Sequence, residues 1–504
     1  MTALLLALLV TQPGDVYRLT EVTRNPDPTW EPETYEEWLA GEPDFEPFRV
    51  TEIIGAEGPV EFLILLQEGW ADSLGAGLIA QWAADITGQG LVTEVLEITY
   101  SDPADLRDYF VSRFSEGLEG AVLVGNLPVP WCALEEPTWG DQEQFPTDYF
   151  YMDLDGVWED NWIGYPSQGL PGQDGKYDTW DGELDPEIYI GRMRTGSISN
   201  VGDPVELTQT YLQRNHDWRL TGDPEPLHAL CYVDNDWAQW GPAYQNSMEL
   251  LYPDVELVND TLETCGTDYR DNRLPGDYVW ISPFVHSSPT LHAWVPGPNT
   301  LWSDLVPANP PSRFYNLFAC SNSRFTTPRN MGTIYAIATS GGLASIGSTK
   351  TGSMLEFSWF YLPLGQGGSM GEAFQAWWQH IAANGITDDE MAWHLGMSLI
   401  GDPTLMPAMH MLGIEGGTPF PGAVPDLRMW PNPASLTVNL AATGLEGQPA
   451  EVGIYDTSGR LVRVAEMPPE GSVAVNLDGL ETGVYLVRMT CRDRAASSSL
   501  VLLR

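Results

Sequence analysis

The chain has 504 residues, of which 70 are acidic and 23 basic, for a formal net charge of −47. A surface this acidic repels phosphate backbones and excludes nucleic acid as a partner, while it favours solubility and suits an extracellular or saline setting. The 43% hydrophobic content, with 20 Trp, excludes wholesale disorder, and the length allows roughly two to four domains.

The stretch Thr2-Ala-Leu-Leu-Leu-Ala-Leu-Leu-Val10 has the short apolar pattern of a signal peptide, expected to occupy residues 1–20. No later run approaches the ~18 apolar residues of a membrane span. Residues 21–59, rich in Pro, Glu and Trp, read as a propeptide or as an extended segment lying on the following domain. Order begins with the apolar run Val60–Leu66. A helix near Ser73–Ile86, a strand at Leu91–Ile98, a helix at Asp105–Phe114 capped by Asp102 or Ser101, and a strand at Gly120–Val124 follow. This alternation predicts a doubly wound, mostly parallel sheet, and residues 60–225 form a first α/β subdomain.

Residues 141–185 are an acidic and aromatic insertion. Its carboxylates among Gly turns, Asp153, Asp155, Asp178 and Asp181, make a candidate structural Ca²⁺ site, since Ca²⁺ takes about six to eight oxygens. The spacing is not that of an EF-hand loop, and a solvated acidic loop is the competing reading. A short strand at Glu187–Arg192 leads into a helix at Pro204–Arg219.

Residues 226–412 repeat the α/β alternation, as a second subdomain beside the first or as a continuation of one long sheet. Three of its apolar runs end on chemically useful groups. Pro226–Val233 ends on Asp234-Asn-Asp236, Asp277–Val285 on His286, and Phe314–Ala319 on Cys320. In open parallel sheets the carboxyl ends of the strands line one crevice. A carboxylate, an imidazole and a thiol gathered there are the parts of an activated cysteine nucleophile. The competing reading of Cys320 is an ordinary core thiol. The five cysteines, Cys132, Cys231, Cys265, Cys320 and Cys491, show no CxxC pair, and their odd number leaves at least one free within the chain. A Gly- and Pro-rich linker at 413–424 separates a final segment, 425–504, whose short strands predict a small all-β, immunoglobulin-like sandwich.

The order of several motifs resembles the gingipain-type cysteine peptidases of the caspase-like clan. These are Phe318-Ala-Cys-Ser-Asn-Ser-Arg-Phe325, Gly341–Thr349, Gly401-Asp-Pro-Thr-Leu405, Leu123-Val-Gly-Asn126 and Glu187–Arg192. The resemblance covers roughly residues 60–410. The tail, with Trp430-Pro-Asn-Pro433, Ile454–Arg460, Leu480–Tyr485 and Val501–Arg504, resembles a type IX (Por) secretion sorting domain. Together the resemblances imply an exported cysteine endopeptidase of caspase-like fold, acting on protein or peptide substrates and handled by the type IX secretion machinery.

The resemblance assigns Cys320 as nucleophile, His286 as general base and Asp236 as the acid that orients it, with Asp234 as the close alternative acid. His292 is the rival base, and the other histidines read as structural. Backbone N–H groups of Ser287 and Cys320 are candidates for an oxyanion hole. The family has Gly after the catalytic His, and Ser287 departs from it, which raises the question of backbone freedom. No cofactor is expected for the chemistry. Peptidases of this type that cut after basic residues carry an acid on the segment equivalent to Trp237–Ser247, which has none here. Lys350 is instead a candidate contact for an acidic substrate side chain. Two other functions fit the same residues, a sortase-like transpeptidase and a catalytically silent surface-binding protein.

Overall fold

A computed structural model describes Asp27 and residues 30–136, 142–222, 227–383 and 385–408. Towards the C-terminus it describes 427–430, 437–442, 450–455, 460–468, 472–480, 483–491 and 494–502. The expected signal peptide and the linker lie outside the described residues. The chain divides into two units, Met1–Gly416 and Gly417–Arg504.

The first unit is built on one sheet of eleven strands. In chain order they are β1 (Val50–Ile54), β2 (Phe62–Gln67), β3 (Thr93–Ile98), β4 (Gly120–Val124), β5 (Tyr189–Met193), β6 (His228–Val233), β7 (Asp254–Val258), β8 (Trp280–Phe284), β9 (Phe314–Asn316), β10 (Ala344–Ser348) and β11 (Met397–Gly401). Their order in space is β1-β3-β2-β4-β5-β11-β10-β9-β8-β6-β7. The two expected subdomains are therefore continuous through one sheet. Only β1–β3 and β10–β11 pair antiparallel, so the strands on either side of the β10–β11 junction run in opposite senses. The carboxyl ends of β6, β8 and β9 consequently gather on one edge.

Both faces of the sheet are covered, which is why its strands read as continuous apolar runs rather than alternating ones. Phe62–Leu66 and Ala121–Val124 are wholly buried. Helices start where short polar residues cap them. Asp102 accepts from the N–H of Ala104 before helix Pro103–Phe114, and Asp203 accepts from Val205 and Glu206 before helix Pro204–Thr221. Residues 30–54 are not featureless. They contain helix Tyr35–Leu39, closed by a capping box at Thr34, and edge strand β1.

The motif Gly401-Asp-Pro-Thr is a structural tie. Gly401 has φ +115°, and a Cβ there would meet Leu343 O at 2.4 Å. Asp402, wholly buried, accepts from Trp82 Nε1 (2.7 Å), Arg219 Nη2 (2.8 Å) and Asn215 Nδ2 (2.9 Å), pinning two helices to the end of β11. Arg192, on β5, forms a buried ion pair with Asp148.

The second unit has two antiparallel sheets. One holds Leu427–Trp430, Thr437–Ala442 and Ser472–Asn476, the other Ala450–Tyr455, Leu461–Met467, Gly483–Cys491 and Arg494–Leu502. Val438, Leu440 and Val475 from the first share a core with Val452, Ile454, Val487, Met489 and Leu500 from the second.

Candidate active site

The register of the sheet brings the expected residues together. Val233 on β6 pairs with Phe284 on β8, and Phe284 bridges to Phe318 just beyond β9. The three chains continue side by side past this line. Asp234 N donates to Phe284 O (2.9 Å), and Val285 N donates to Phe318 O (3.0 Å). His286 and Cys320 thus stand two residues beyond paired positions on neighbouring parallel chains, and Asp236 leaves the strand on the other side of His286.

Asp236 Oδ2 lies 2.8 Å from His286 Nε2. The imidazole is largely buried, whereas the carboxylate is 33% exposed. This hydrogen bond is the main reason that the Asp236 carboxyl is held below its usual range, against an opposing effect of burial. Trp237 packs its ring on His286, with centroids 4.2 Å apart, and touches Phe318 at 5.6 Å. With Nε2 engaged by Asp236, Nδ1 is the nitrogen left for a reacting proton.

Asp234, the alternative acid, is wholly buried and does another job. Its Oδ1 accepts from Val295 N (3.0 Å), fastening the loop after strand Leu291–Ala293. Burial pushes this carboxyl up to about 7, and among the described residues its Oδ2 has no hydrogen-bond partner.

His292 is not placed as a base. It is wholly buried, with Nδ1 2.8 Å from Ser287 Oγ and Nε2 3.1 Å from Tyr335 Oη. Burial drives its pKa down to about 3, so it stays neutral.

Cys320 is partly exposed and unpaired as a thiol. Its pKa is pushed up, not down. Burial is the main cause and Glu143 adds to it, while the Gly352 N–H, Lys350 and its own N–H oppose the shift. The resting sulfur is therefore a thiol, and proton removal falls to the base. The following residue, Ser321, has φ +58°, a left-handed conformation that costs a non-glycine residue roughly 1–2 kcal/mol. The Ser321 N–H is taken by Lys350 O (2.8 Å), but the Cys320 N–H has no carbonyl acceptor among the described residues. Ser287 is not among the described non-glycine residues with positive φ, so its position does not require glycine.

Lys350, expected as a substrate contact, is committed within the fold. It is 2% exposed, and its Nζ donates to the carbonyls of Thr351 and Ala392 and pairs with Glu143 Oε2 at 3.1 Å. Glu143 and Gly352 join the site unannounced by any motif. Trp237, adjacent to Asp236, and Asn322, inside the motif that carries Cys320, each had a signal, and Asn322 reaches Ser288 O through Nδ2 (3.0 Å).

The acidic insertion assembles differently from expectation. Asp153 and Asp155 cluster with Glu187. Asp178 instead accepts from Asn161 N, Trp162 N and Thr179 Oγ1, and Asp181 accepts from Gly182 N. Both Asp153 oxygens are used, by Gly156 N (2.9 Å) and Trp158 Nε1 (2.6 Å). The carbonyls of Phe150, Asp153 and Gly156 all accept from Arg107. The Arg107 guanidinium thus fills the carbonyl side of this turn, and the carboxylates of Asp153, Asp155 and Glu187 are the group that could hold a cation. Burial, ahead of mutual repulsion, raises Asp153 to about 6 and Glu187 to about 7.

Residues 428–502 match the family model of a secretion system C-terminal sorting domain. The chain thus ends in a type IX sorting domain and is that of a secreted or cell-surface protein. Among the described residues no helix is long and apolar enough to cross a membrane. No curated protein matches the chain. Among solved structures, dimeric latent PorU from Porphyromonas gingivalis overlaps 88% of this chain at 9% identity and a TM-score of 0.31. The chain spans 43% of the length of that protein. A DUF3244-family protein with an immunoglobulin-like β-sandwich fold from Bacteroides vulgatus overlaps 16% of this chain and 95% of its own, at 12% identity and a TM-score of 0.13. A Cellulomonas fimi endo-β-1,4-mannanase double mutant overlaps 88% and 94%, at 12% identity and a TM-score of 0.19. Overlaps this slight establish neither fold nor activity.

Proposed function

We propose that the chain is an exported cysteine endopeptidase, with Cys320 as nucleophile, His286 as base and Asp236 as its orienting acid. The observation that carries this reading is the Asp236–His286 hydrogen bond of 2.8 Å, formed on the chain that runs directly beside the Cys320 chain. His286 takes the thiol proton as Sγ attacks the scissile carbonyl carbon. The oxyanion develops where the Cys320 N–H, joined by that of Ser287, can donate. On collapse the C–N bond breaks and His286 returns the proton to the leaving amine. Water, deprotonated by the same imidazole, then hydrolyses the thioester. The Asp236 carboxylate holds the tautomer and stabilises the imidazolium at each stage.

A protonated resting thiol fits a general-base route rather than a preformed thiolate–imidazolium pair. It also favours a second reading, a binding protein that keeps the fold with a silent site. Peptide-library cleavage by the full chain, beside Cys320→Ala and His286→Ala, separates the two. Cleavage abolished by both substitutions supports the peptidase. No cleavage by the unsubstituted protein, with a Cys320 that resists alkylation up to high pH, supports the silent site.

A further inference from the structure

Arg324 lies four residues beyond Cys320, at the end of the loop that presents the thiol. It is 2% exposed. Its Nη1 donates to Gln144 O (3.0 Å) and Thr349 O (3.3 Å), and its Nη2 to Glu33 O (3.0 Å). Its guanidinium carbon sits 5.0 Å from the centroid of the Trp131 ring. Among the described residues no carboxylate pairs with it. A buried cation without a paired anion is costly, and here Nη1 and Nη2 donate to carbonyls from three separate segments, while Nε has no hydrogen-bond partner among the described residues. A planar fork with donors in several directions suits that task, and a lysine ammonium does not.

The contacts continue inward. Arg324 N donates to Ser321 O (3.0 Å), Ser323 N to Ser348 O (3.0 Å), and Asn322 Nδ2 to Ser288 O (3.0 Å) on the strand that carries His286. These bonds link Glu33, Arg324, the thiol loop and the strand His286–Ser288 that carries the base. The N-terminal segment is itself anchored around the same tryptophan. Trp38 and Tyr35 are buried with ring centroids 5.2 and 5.8 Å from Trp131, and Tyr35 N donates to Gln144 Oε1 (3.0 Å). Glu36 pairs with Lys176 at 2.7 Å, and Glu42 with Arg194.

We propose that Arg324 is a positioning residue of the nucleophile loop, and that residues 30–42 form part of its socket rather than a removable cover. The proposal rests on Cys320 being the nucleophile. It implies that any cut made during export falls upstream of this segment.

The test is the pH profile of Cys320 alkylation by iodoacetamide in the full chain, read by mass spectrometry on the Cys320 peptide. Arg324→Gln is expected to loosen the loop and let water reach the thiol. Alkylation at pH 7 then speeds up about tenfold and the profile moves to lower pH, while peptide cleavage falls at least about a hundredfold, mainly in kcat. Arg324→Lys, keeping one donor direction, falls between. A profile in Arg324→Gln that superimposes on the unsubstituted protein overturns the proposal. If Arg324→Gln does not fold, a second arm decides. A site-specific protease sequence is placed in the exposed stretch at Asp44–Phe45 and cut after folding. Retention of the N-terminal piece on gel filtration supports the proposal, as does its release together with the alkylation shift. Release that leaves the profile unmoved overturns it. Alkylation does not require turnover, so an inactive chain would refute the peptidase reading while still deciding the role of Arg324.

Discussion

Two histidines six residues apart in one hairpin meet opposite fates. His286 keeps a carboxylate on one nitrogen and lies beside the thiol chain. His292 is sealed between two hydroxyls, and its pKa of about 3 keeps it neutral at ordinary pH. The pairing of the hairpin sets the difference. His286 faces Ala293 and Ser287 faces His292, so the two imidazoles stand at positions of opposite parity, which a pleated strand turns to opposite faces. One face meets the carboxyl edge of the sheet. The other meets the aromatic packing of Tyr269, Trp294 and Tyr335. A histidine's role here is fixed by strand parity more than by its nearness in sequence to the cysteine.

The largest effects should come from the His286 side of this comparison. Cys320→Ala and His286→Ala are each expected to lower kcat/KM for peptide cleavage by about 10³-fold or more, with little change in melting temperature. Combining them should cost no more than either alone, because the two groups act as a unit. Asp236→Asn should cost about 10²-fold. That is less than a fully buried orienting acid would cost, because water can partly replace a carboxylate that is a third exposed. A steady-state comparison of the four variants tests this ranking. An Asp236→Asn rate equal to the unsubstituted protein's would remove the acid from the mechanism.

On the sealed side, stability should change rather than rate. His292→Phe strands the hydroxyl of Ser287, leaves that of Tyr335 only its bond to the Tyr269 hydroxyl, and should destabilise the fold by about 2 kcal/mol in denaturant titration. Cleavage by the folded fraction should stay within about threefold of normal. The pH dependence has a definite sign. The folded pKa of about 3 lies below the ordinary 6.5, so the unfolded chain binds the proton first. The stability that His292 contributes is complete above about pH 6.5 and is lost as pH falls towards 3, at up to about 1.4 kcal/mol per pH unit. His394, lowered to about 3 chiefly by burial, adds a loss of the same sign.

Most of what places the site could be read in advance. The runs ending on Asp236, His286 and Cys320 are continuous and apolar, as buried parallel strands are, and their ends marked the carboxyl edge. Strand β11 was harder, because Met397-Ser-Leu-Ile-Gly401 is short and its neighbour β10 lies some fifty residues earlier. The antiparallel β10–β11 junction, which joins two expected subdomains into one sheet, has no local signal. Lys350 misled because a lone cation in an acidic chain reads as a ligand for acids. Its own carbonyl partners and Glu143 are set only by tertiary packing. Arg107 and Arg324 were missed for the same reason. An arginine that serves carbonyls leaves no complementary carboxylate spacing in the sequence.

The comparison can be sharpened once more through Asp234, the alternative candidate for the role proposed for Asp236. Asp234 is buried, fastens Val295 through one oxygen, and has its other oxygen without a hydrogen-bond partner among the described residues. Its folded pKa of about 7 lies above the ordinary value near 3.9. Here the sign is opposite to that of His292. The folded chain holds the proton longer, so this group opposes folding increasingly as pH rises from about 4 to about 7. Asp234→Asn keeps an oxygen for the Val295 N–H and removes the titration. It should leave stability near pH 4 almost unchanged and raise it at pH 8, by on the order of 2 kcal/mol after allowance for relaxation. Cleavage should persist, because Asp236 keeps its bond to His286. If Asp234→Asn abolished cleavage and Asp236→Asn did not, the roles of the two acids would be exchanged, and strand-end register would be a poorer guide to this site than burial.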